Sequence, residues 1–355
     1  MGQEVNTITP ALEILCREGM RVDEPVKLRK AIKEIRRDSK RFGWTDDRME
    51  SMPATWQWRV CCARLQMGIL DWRGWQFRSP RGGHDPFEIR KFDLGLPVYP
   101  VKPDCREPER VKRLLVYSEQ GIGDQLMFAR AIPYLRDFAD EICIEVEPRL
   151  APIFQRAFPD MMVHPLKDIR DASWVEPGYF DAKVLMGDVV ARFLRERPFG
   201  DFSMSADPKK VKEWKTYKGR TGFSFHGRQA DLPIENFEDG LVNLQYGEHD
   251  VSERFLTPPI DLTNDLEDVF GILANLEKVV TVPNTLAHMA GVLDVPTDVI
   301  MTPGKGEVNN AVNYRWGNPG DTSMPFHPSI TIHRNWTQYD KRRIPSATSG
   351  KTRQR

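Results

Sequence analysis

Two short segments of this chain carry residue types whose spacing suits them to act on a common ligand. The first is Ser118-Glu119-Gln120-Gly121-Ile122-Gly123-Asp124. An apolar run at Leu114 to Tyr117 reads as a strand and a helical pattern follows, so the segment falls where a strand gives way to a helix. Gly121 and Gly123, with Gln120 before them, let the backbone approach a ligand. Asp124 then projects at the carboxyl end of a sheet, where open α/β folds place their sites. There a carboxylate can take a proton from an acceptor hydroxyl, although Asp also caps helices well. A dinucleotide fingerprint is a third option, with Glu145 or Glu147 at roughly the ~20-residue distance of a ribose contact. Leu126 in the third glycine position weakens it.

The second segment runs from Val279 to Gly291 and breaks from an apolar strand directly into a helix. Such a junction aims unpaired backbone N–H groups and the positive end of a helix dipole at one spot, which suits a phosphate. Asn284 or Thr285 can cap this helix and also bond a phosphate or ribose, and His288 lies one turn on, roughly on the same face as Asn284. The alternative is a simple N-cap with a packed histidine. Ser224, His226 and Arg228 come at the end of another strand and Gln245 after a further one. Paired N–H donors on Arg228 would offset diphosphate charge, against a default role as a solvated arginine. Gly304-Lys305-Gly306 lacks the order of a P-loop. No Asp-x-Asp pair stands in the sequence to hold a metal between phosphates, so metal independence is expected. An ordinary Asp titrates near ~3.9, so a base at Asp124 needs burial or a late proton transfer.

The elements that must position these residues follow from periodicity. Strands are expected at Leu114 to Tyr117, Glu141 to Val146, Thr221 to Phe225, Leu241 to Leu244, Val279 to Val282 and Thr297 to Met301. Helices are expected at Asp124 to Phe138, Pro148 to Phe158, Val269 to Leu276 and Leu286 to Val292. The alternation predicts βαβ units with parallel sheets in two consecutive α/β halves. Residues 1 to about 108 read differently, with helices from Val26 to Arg41 and from about Ala54 to Arg78. The second carries Trp56, Trp58, Trp72 and Trp75, a surface that needs a partner to cover it. Prolines and glycines from Pro80 to Pro103 mark a domain boundary.

At 355 residues with 40% hydrophobic content, the chain can bury a large core. Acidic and basic residues balance at 51 each, so no global field draws it to nucleic acid or an anionic membrane. The basic face from Lys27 to Arg41 is the local exception, a docking arm for nucleic acid or a solvated face. Five cysteines without C-x-x-C spacing argue against a disulfide framework or a zinc site. With no signal peptide and no transmembrane run read in the sequence, the cytoplasm is the expected compartment.

Taken in order, these segments resemble a known group. Val116 to Leu135, with Glu119-Gln120-Gly121-Ile122-Gly123-Asp124 and Phe128-Ala129-Arg130 followed by Pro133, resembles the N-terminal motif of glycosyltransferase domains found behind tetratricopeptide repeats and related to the heptosyltransferase family, glycosyltransferase family 9. Asn284-Thr285 with Ala287-His288 and Ala290-Gly291 resembles that group's donor-site segment, and Tyr314-Arg315-Trp316 with His327-Pro328-Ser329 its closing segment. The resemblance covers about residues 111 to 335. The stretch from Leu65 to Arg78 is similar to the last helical repeat before such domains. The resemblance implies a GT-B architecture of two Rossmann-like domains facing a cleft, with the nucleotide held by the C-terminal one. The expected division is a helical region at 1–108, an acceptor domain at 109–215, a donor domain at 216–336 and a basic tail at 337–355. It also implies Asp124 as the base of an inverting transfer from a nucleotide-diphosphate sugar, a UDP-sugar ahead of an ADP-sugar, to a hydroxyl on a saccharide, protein or modified nucleic acid. No other cofactor is expected. Two departures stand out: many relatives carry Asp-Thr where this chain has Pro283-Asn284, and often Lys in place of Tyr246. An inactive nucleotide-binding module and a nicotinamide oxidoreductase are the other classes the residues allow.

Overall fold

The computed structural model describes residues 96, 97, 99, 109–118, 121–166, 173–190, 202–227, 230–247, 251, 253–301, 316, 323, 324, 326–333 and 339. Gln120, Arg228, Lys305, the expected N-terminal helices and all of the basic tail except Tyr339 lie outside these residues.

The first unit is a parallel sheet of β1 (Val111–Tyr117), β2 (Ala139–Val146), β3 (Met162–Pro165) and β4 (Ala182–Leu185), in the order β3-β2-β1-β4. Side chains alternate across it as a pleated strand requires. Leu114 and Val116 enter the main core, while Leu115 and Tyr117 face a smaller cluster with Cys143 and Phe180. Helix α1 (Ile122–Phe128) follows β1, and α2 (Ala151–Ala157) follows β2. The single helix expected from Asp124 to Phe138 is instead α1 continued by a 3-10 segment, Ala129–Asp137. Pro133 lies inside that segment, lacks the N–H for an α-helical bond and crowds the preceding turn.

The second unit begins with α3 (Pro208–Glu213) and holds a second all-parallel sheet. Its strands are β5 (Thr221–Ser224), β8 (Val242–Asn243), β9 (Lys278–Thr281), β10 (Thr297–Ile300) and β11 (Ile330–His333), in the order β11-β10-β9-β5-β8. A two-strand ribbon of β6 (His226–Gly227) and β7 (Ala230–Asp231) hangs from the end of β5. Helix α4 (Leu266–Leu273) precedes β9, and α5 (Thr285–Val292) follows it. Helix α3 packs on α4, where a methyl on Gly271 would come within 2.7 Å of the Lys210 Cβ.

Both units are thus Rossmann-like, and their strand orders locate the places where ligands bind in such sheets. In the first, the chain leaves β1 for β2 on one side and later returns to β4 on the other. In the second, it leaves β5 for β8 and returns to β9. A crevice opens at the carboxyl ends of strands where the winding reverses. These two reversals fall at the end of β1, next to Gly121–Asp124, and at the ends of β5 and β9, next to Ser224 and Asn284. Among the described residues no helix is long and apolar enough to cross a membrane.

Candidate active site

Gly121 is the N-cap of α1 and has no side chain to cap with; the Asp124 and Gln125 amides both reach its carbonyl at 3.1 Å. Asp124 sits in the first turn, half-buried, its Oδ2 3.9 Å from where a Gly121 Cβ would stand. The capping alternative for Asp124 therefore does not hold: it lies three residues beyond the cap, where its negative charge suits the helix dipole. Gln125, the next residue, is turned inward, and its Oε1 accepts a 3.0 Å bond from the Glu147 amide at the end of β2.

Gly123 is what brings the two units together. Its Cα faces α5 so closely that an added methyl would lie 2.8 Å from the His288 Cδ2. Helix α1 can therefore pack on α5 only with glycine at this position.

At the start of α5, Asn284 is the N-cap, its Oδ1 accepting from the Ala287 amide at 3.4 Å. Its Nδ2 donates to the Ser224 Oγ at 2.9 Å, and that hydroxyl donates in turn to the Gln245 Oε1 at 2.8 Å. The same Gln245 oxygen accepts from the Phe225 and His226 amides at 3.1 and 2.8 Å. Ser224, Gln245 and Asn284, expected as donor contacts, are all buried and spend these polar atoms on one another. They form the floor that fixes the ends of β5, β8 and β9 relative to α5. His226 is half-exposed on the ribbon beyond this floor, with its Nδ1 bonded to the Asp231 carboxylate.

The expected donor contact at His288 is corrected by its position. The ring is 3% exposed, packs on Trp316 with 5.0 Å between ring centroids, and places its Nδ1 3.3 Å from the His327 Nε2. It fills the joint between the units rather than the ligand side of the helix. His327 is enclosed beside Gly291, where a methyl would fall 2.5 Å from its Cγ. Burial, then the neighbouring His288 and Arg130 charges, push the His327 imidazole well below its ordinary value of 6.5. The folded His327 ring is thus uncharged near neutral pH.

This has a consequence for stability. The unfolded ring takes a proton below about pH 6.5 and the folded one does not, so its contribution is complete above that pH and declines as the pH falls toward the lowered folded value, by up to about 1.4 kcal/mol per pH unit. Urea unfolding near about pH 7.5 and about pH 5.5 measures it. The wild type loses stability across that interval, and His327→Gln, lacking the titrating ring, loses less.

A pocket of about 160 Å³ opens beside the α1–α5 contact, lined by Ile122 and Arg149 of the first unit and by Leu244, Tyr246, Thr263, Thr285 and Met289 among residues of the second. Thr285, expected as a donor contact, is on this wall. Arg149 was not singled out by any motif or spacing, because it sits in an ordinary amphipathic stretch after β2 and meets the second unit only through the fold. Among the described residues there is no group of three or more His, Cys, Asp or Glu arranged to hold a metal ion. The site therefore offers one half-buried carboxylate, a capped helix start with a hydroxyl beside it, and an apolar recess edged by one guanidinium.

No family model matches the chain. Protein FlbA of Caulobacter vibrioides (strain ATCC 19089 / CIP 103742 / CB 15) is 26% identical over 265 residues, covering 62% of this chain and 43% of that protein, so the chain spans less than half the length of this relative. Among solved structures, the chain is similar to E. coli heptosyltransferase WaaC with ADP at 13% identity and a TM-score of 0.39, over 61% of this chain and 93% of that one. It is similar to the glycosyl transferase family 9 structure from Veillonella parvula DSM 2008 at 11% identity and a TM-score of 0.42, over 62% and 86%. The E. coli ADP-heptose lps heptosyltransferase II gives 11% identity and a TM-score of 0.40, over 62% and 90%. With TM-scores below 0.5, these similarities leave the chemistry of the site to be read from the chain's own residues.

Proposed function

We propose that this chain is a GT-B glycosyltransferase that moves a sugar from a nucleotide-diphosphate donor to a hydroxyl acceptor, with inversion at the anomeric carbon and without a metal ion. The observation that carries this reading is the packing of α1 on α5 at Gly123 and His288. It sets the Asp124 turn and the Asn284–Thr285 helix start on either side of one joint, beside a pocket lined from both units.

The steps follow from that placement. The nucleoside rests against the apolar wall of Leu244, Leu262 and Met289, and the diphosphate lies toward Thr285 and the first amides of α5. The acceptor oxygen attacks the anomeric carbon from the Asp124 side as the bond from that carbon to the phosphate oxygen breaks. The bonding pair leaves with the nucleoside diphosphate. Asp124 takes the hydroxyl proton late, once the developing oxonium has made it acidic. Charge that gathers on the leaving phosphate meets fixed N–H donors that need no reorganisation, the kind of term that contributes most in such sites.

The test begins with binding. UDP and ADP, added at about a hundred times their dissociation constants, should each stabilise the protein by roughly 2.7 kcal/mol if they occupy the folded site. Release of nucleoside diphosphate from a panel of UDP- and ADP-sugars should then persist in EDTA. If neither nucleotide shifts the melting curve, the donor reading is wrong; if EDTA abolishes release, the metal-free part is.

A further inference from the structure

We propose that Arg149 is a donor-binding residue supplied by the first unit, with its Nη2 bonded to a phosphate oxygen of the nucleotide; the inference rests on the donor reading above. Arg149 is the one charged side chain that lines the pocket among the described residues. It is also held unusually firmly for a residue that is partly open to solvent. Its amide donates to the Glu147 Oε2 at 3.0 Å and its Nε to the Glu147 Oε1 at 2.6 Å. The Glu147 amide is itself fixed by Gln125 of α1. The guanidinium then crosses to the second unit, where Nη1 donates to the Thr263 carbonyl at 2.7 Å.

Two of the three guanidinium nitrogens are thus occupied by groups that orient the plane, one on each side of the joint. Nη2 meets no acceptor among the described residues, and the side chain is 31% exposed. Most of the other lining side chains are apolar, Leu244, Leu262, Leu266 and Val269 among them. A phosphate entering such a recess loses hydration that those residues cannot replace, and a pre-oriented guanidinium, weakly hydrated and rich in donors, replaces it at little further entropic cost. Glu147 neutralises part of the arginine's charge and keeps the residue in place without drawing it out of the pocket.

The bridge to Thr263 raises a competing explanation, that Arg149 only holds the units together. Arg156 separates the two. It too crosses the joint, with Nη1 and Nη2 each 3.0 Å from a Glu267 carboxylate oxygen, and it does not line the pocket.

Titration calorimetry of the full chain with ADP, UDP, adenosine and uridine tests the proposal. Arg149→Gln is expected to weaken ADP or UDP by about ten-fold or more and the matching nucleoside by less than about three-fold, while Arg156→Gln leaves both near the wild-type values. Equal losses in Arg149→Gln and Arg156→Gln would assign the effect to a loosened joint and overturn the proposal. Equal losses for nucleotide and nucleoside overturn the phosphate contact, and unchanged nucleotide affinity in Arg149→Gln overturns the residue's role altogether. Should Arg149→Gln fail to fold, Arg149→Lys takes its place. One ammonium cannot serve Glu147, Thr263 and a phosphate together, so ADP should still weaken more than adenosine, and equal weakening sinks the idea. If the wild type binds neither nucleotide, the donor reading fails first and this inference with it.

Discussion

Asp124→Asn is expected to lower sugar transfer by about 10²- to 10⁴-fold while leaving UDP or ADP affinity within about three-fold. The exchange keeps the size and planarity of the side chain and removes its negative charge, and with it its capacity to accept a proton as a base. Because the cap of α1 is the Gly121 backbone, the helix does not depend on this carboxylate for its first hydrogen bonds. Loss of the favourable charge in the first turn costs about 0.3–1 kcal/mol. Melting temperature and nucleotide binding should therefore stay close to wild type as turnover collapses. Initial rates of nucleoside diphosphate release, measured with the best donor of the panel, decide the matter. Unchanged rates would remove Asp124 from the reaction, and rates that fall only in step with thermal stability would assign it a structural role.

The second large effect is expected at a residue whose place is beneath the site. Gln245→Leu should destabilise the fold by about 3 kcal/mol or more, because it deletes the acceptor of two backbone amides and one hydroxyl at once, and a buried donor left unpaired costs about 1–3 kcal/mol. The three donors belong to Phe225, His226 and Ser224. The Ser224 hydroxyl can turn to another acceptor, but the amides are fixed by the end of β5. The damage should extend to α5, since Ser224 also anchors the cap residue Asn284. Gln245→Glu keeps the acceptor oxygens and replaces the Nε2 donor to the Tyr246 carbonyl, so its stability should fall between the two. Urea denaturation midpoints for the three proteins provide the comparison. A Leu variant as stable as the wild type would mean that water satisfies these donors and that the network does not hold the strand ends.

How much of this was legible in the residues differs between fold and site. The strand-to-helix junctions after Tyr117 and Thr281 stood out because short, continuous apolar runs pass abruptly into runs with a period near 3.6. The central strands β1, β2, β9 and β10 were expected for the same reason. Strands β3, β4 and β11 were not. Strand β3 is largely half-exposed, and Lys183, a charge in the middle of β4, is buried in the fold, where its backbone pairs with Pro97 and Tyr99. The change to 3-10 geometry at Ala129 goes with Pro133 inside that segment, which sequence periodicity alone reads through.

The sequence by itself determined that this chain builds parallel α/β units, that glycines at 121 and 123 stand at the turn into a helix, and that Asn284 or Thr285 caps another, because these depend on contacts within a few residues. Tertiary structure alone decided which side chains share a space. Ser224 meets Asn284 across 60 positions, Arg149 meets Thr263 across 114, and Arg130 meets Asp294 across 164. No local pattern encodes such pairs; they arise from the order in which strands join each sheet and from the close approach that a missing side chain at Gly123 permits. That is why His288 looked like a ligand contact in the sequence and proved to be packing. Arg149 is the converse case: no motif in the sequence drew attention to it, and the fold places it on the wall of the pocket.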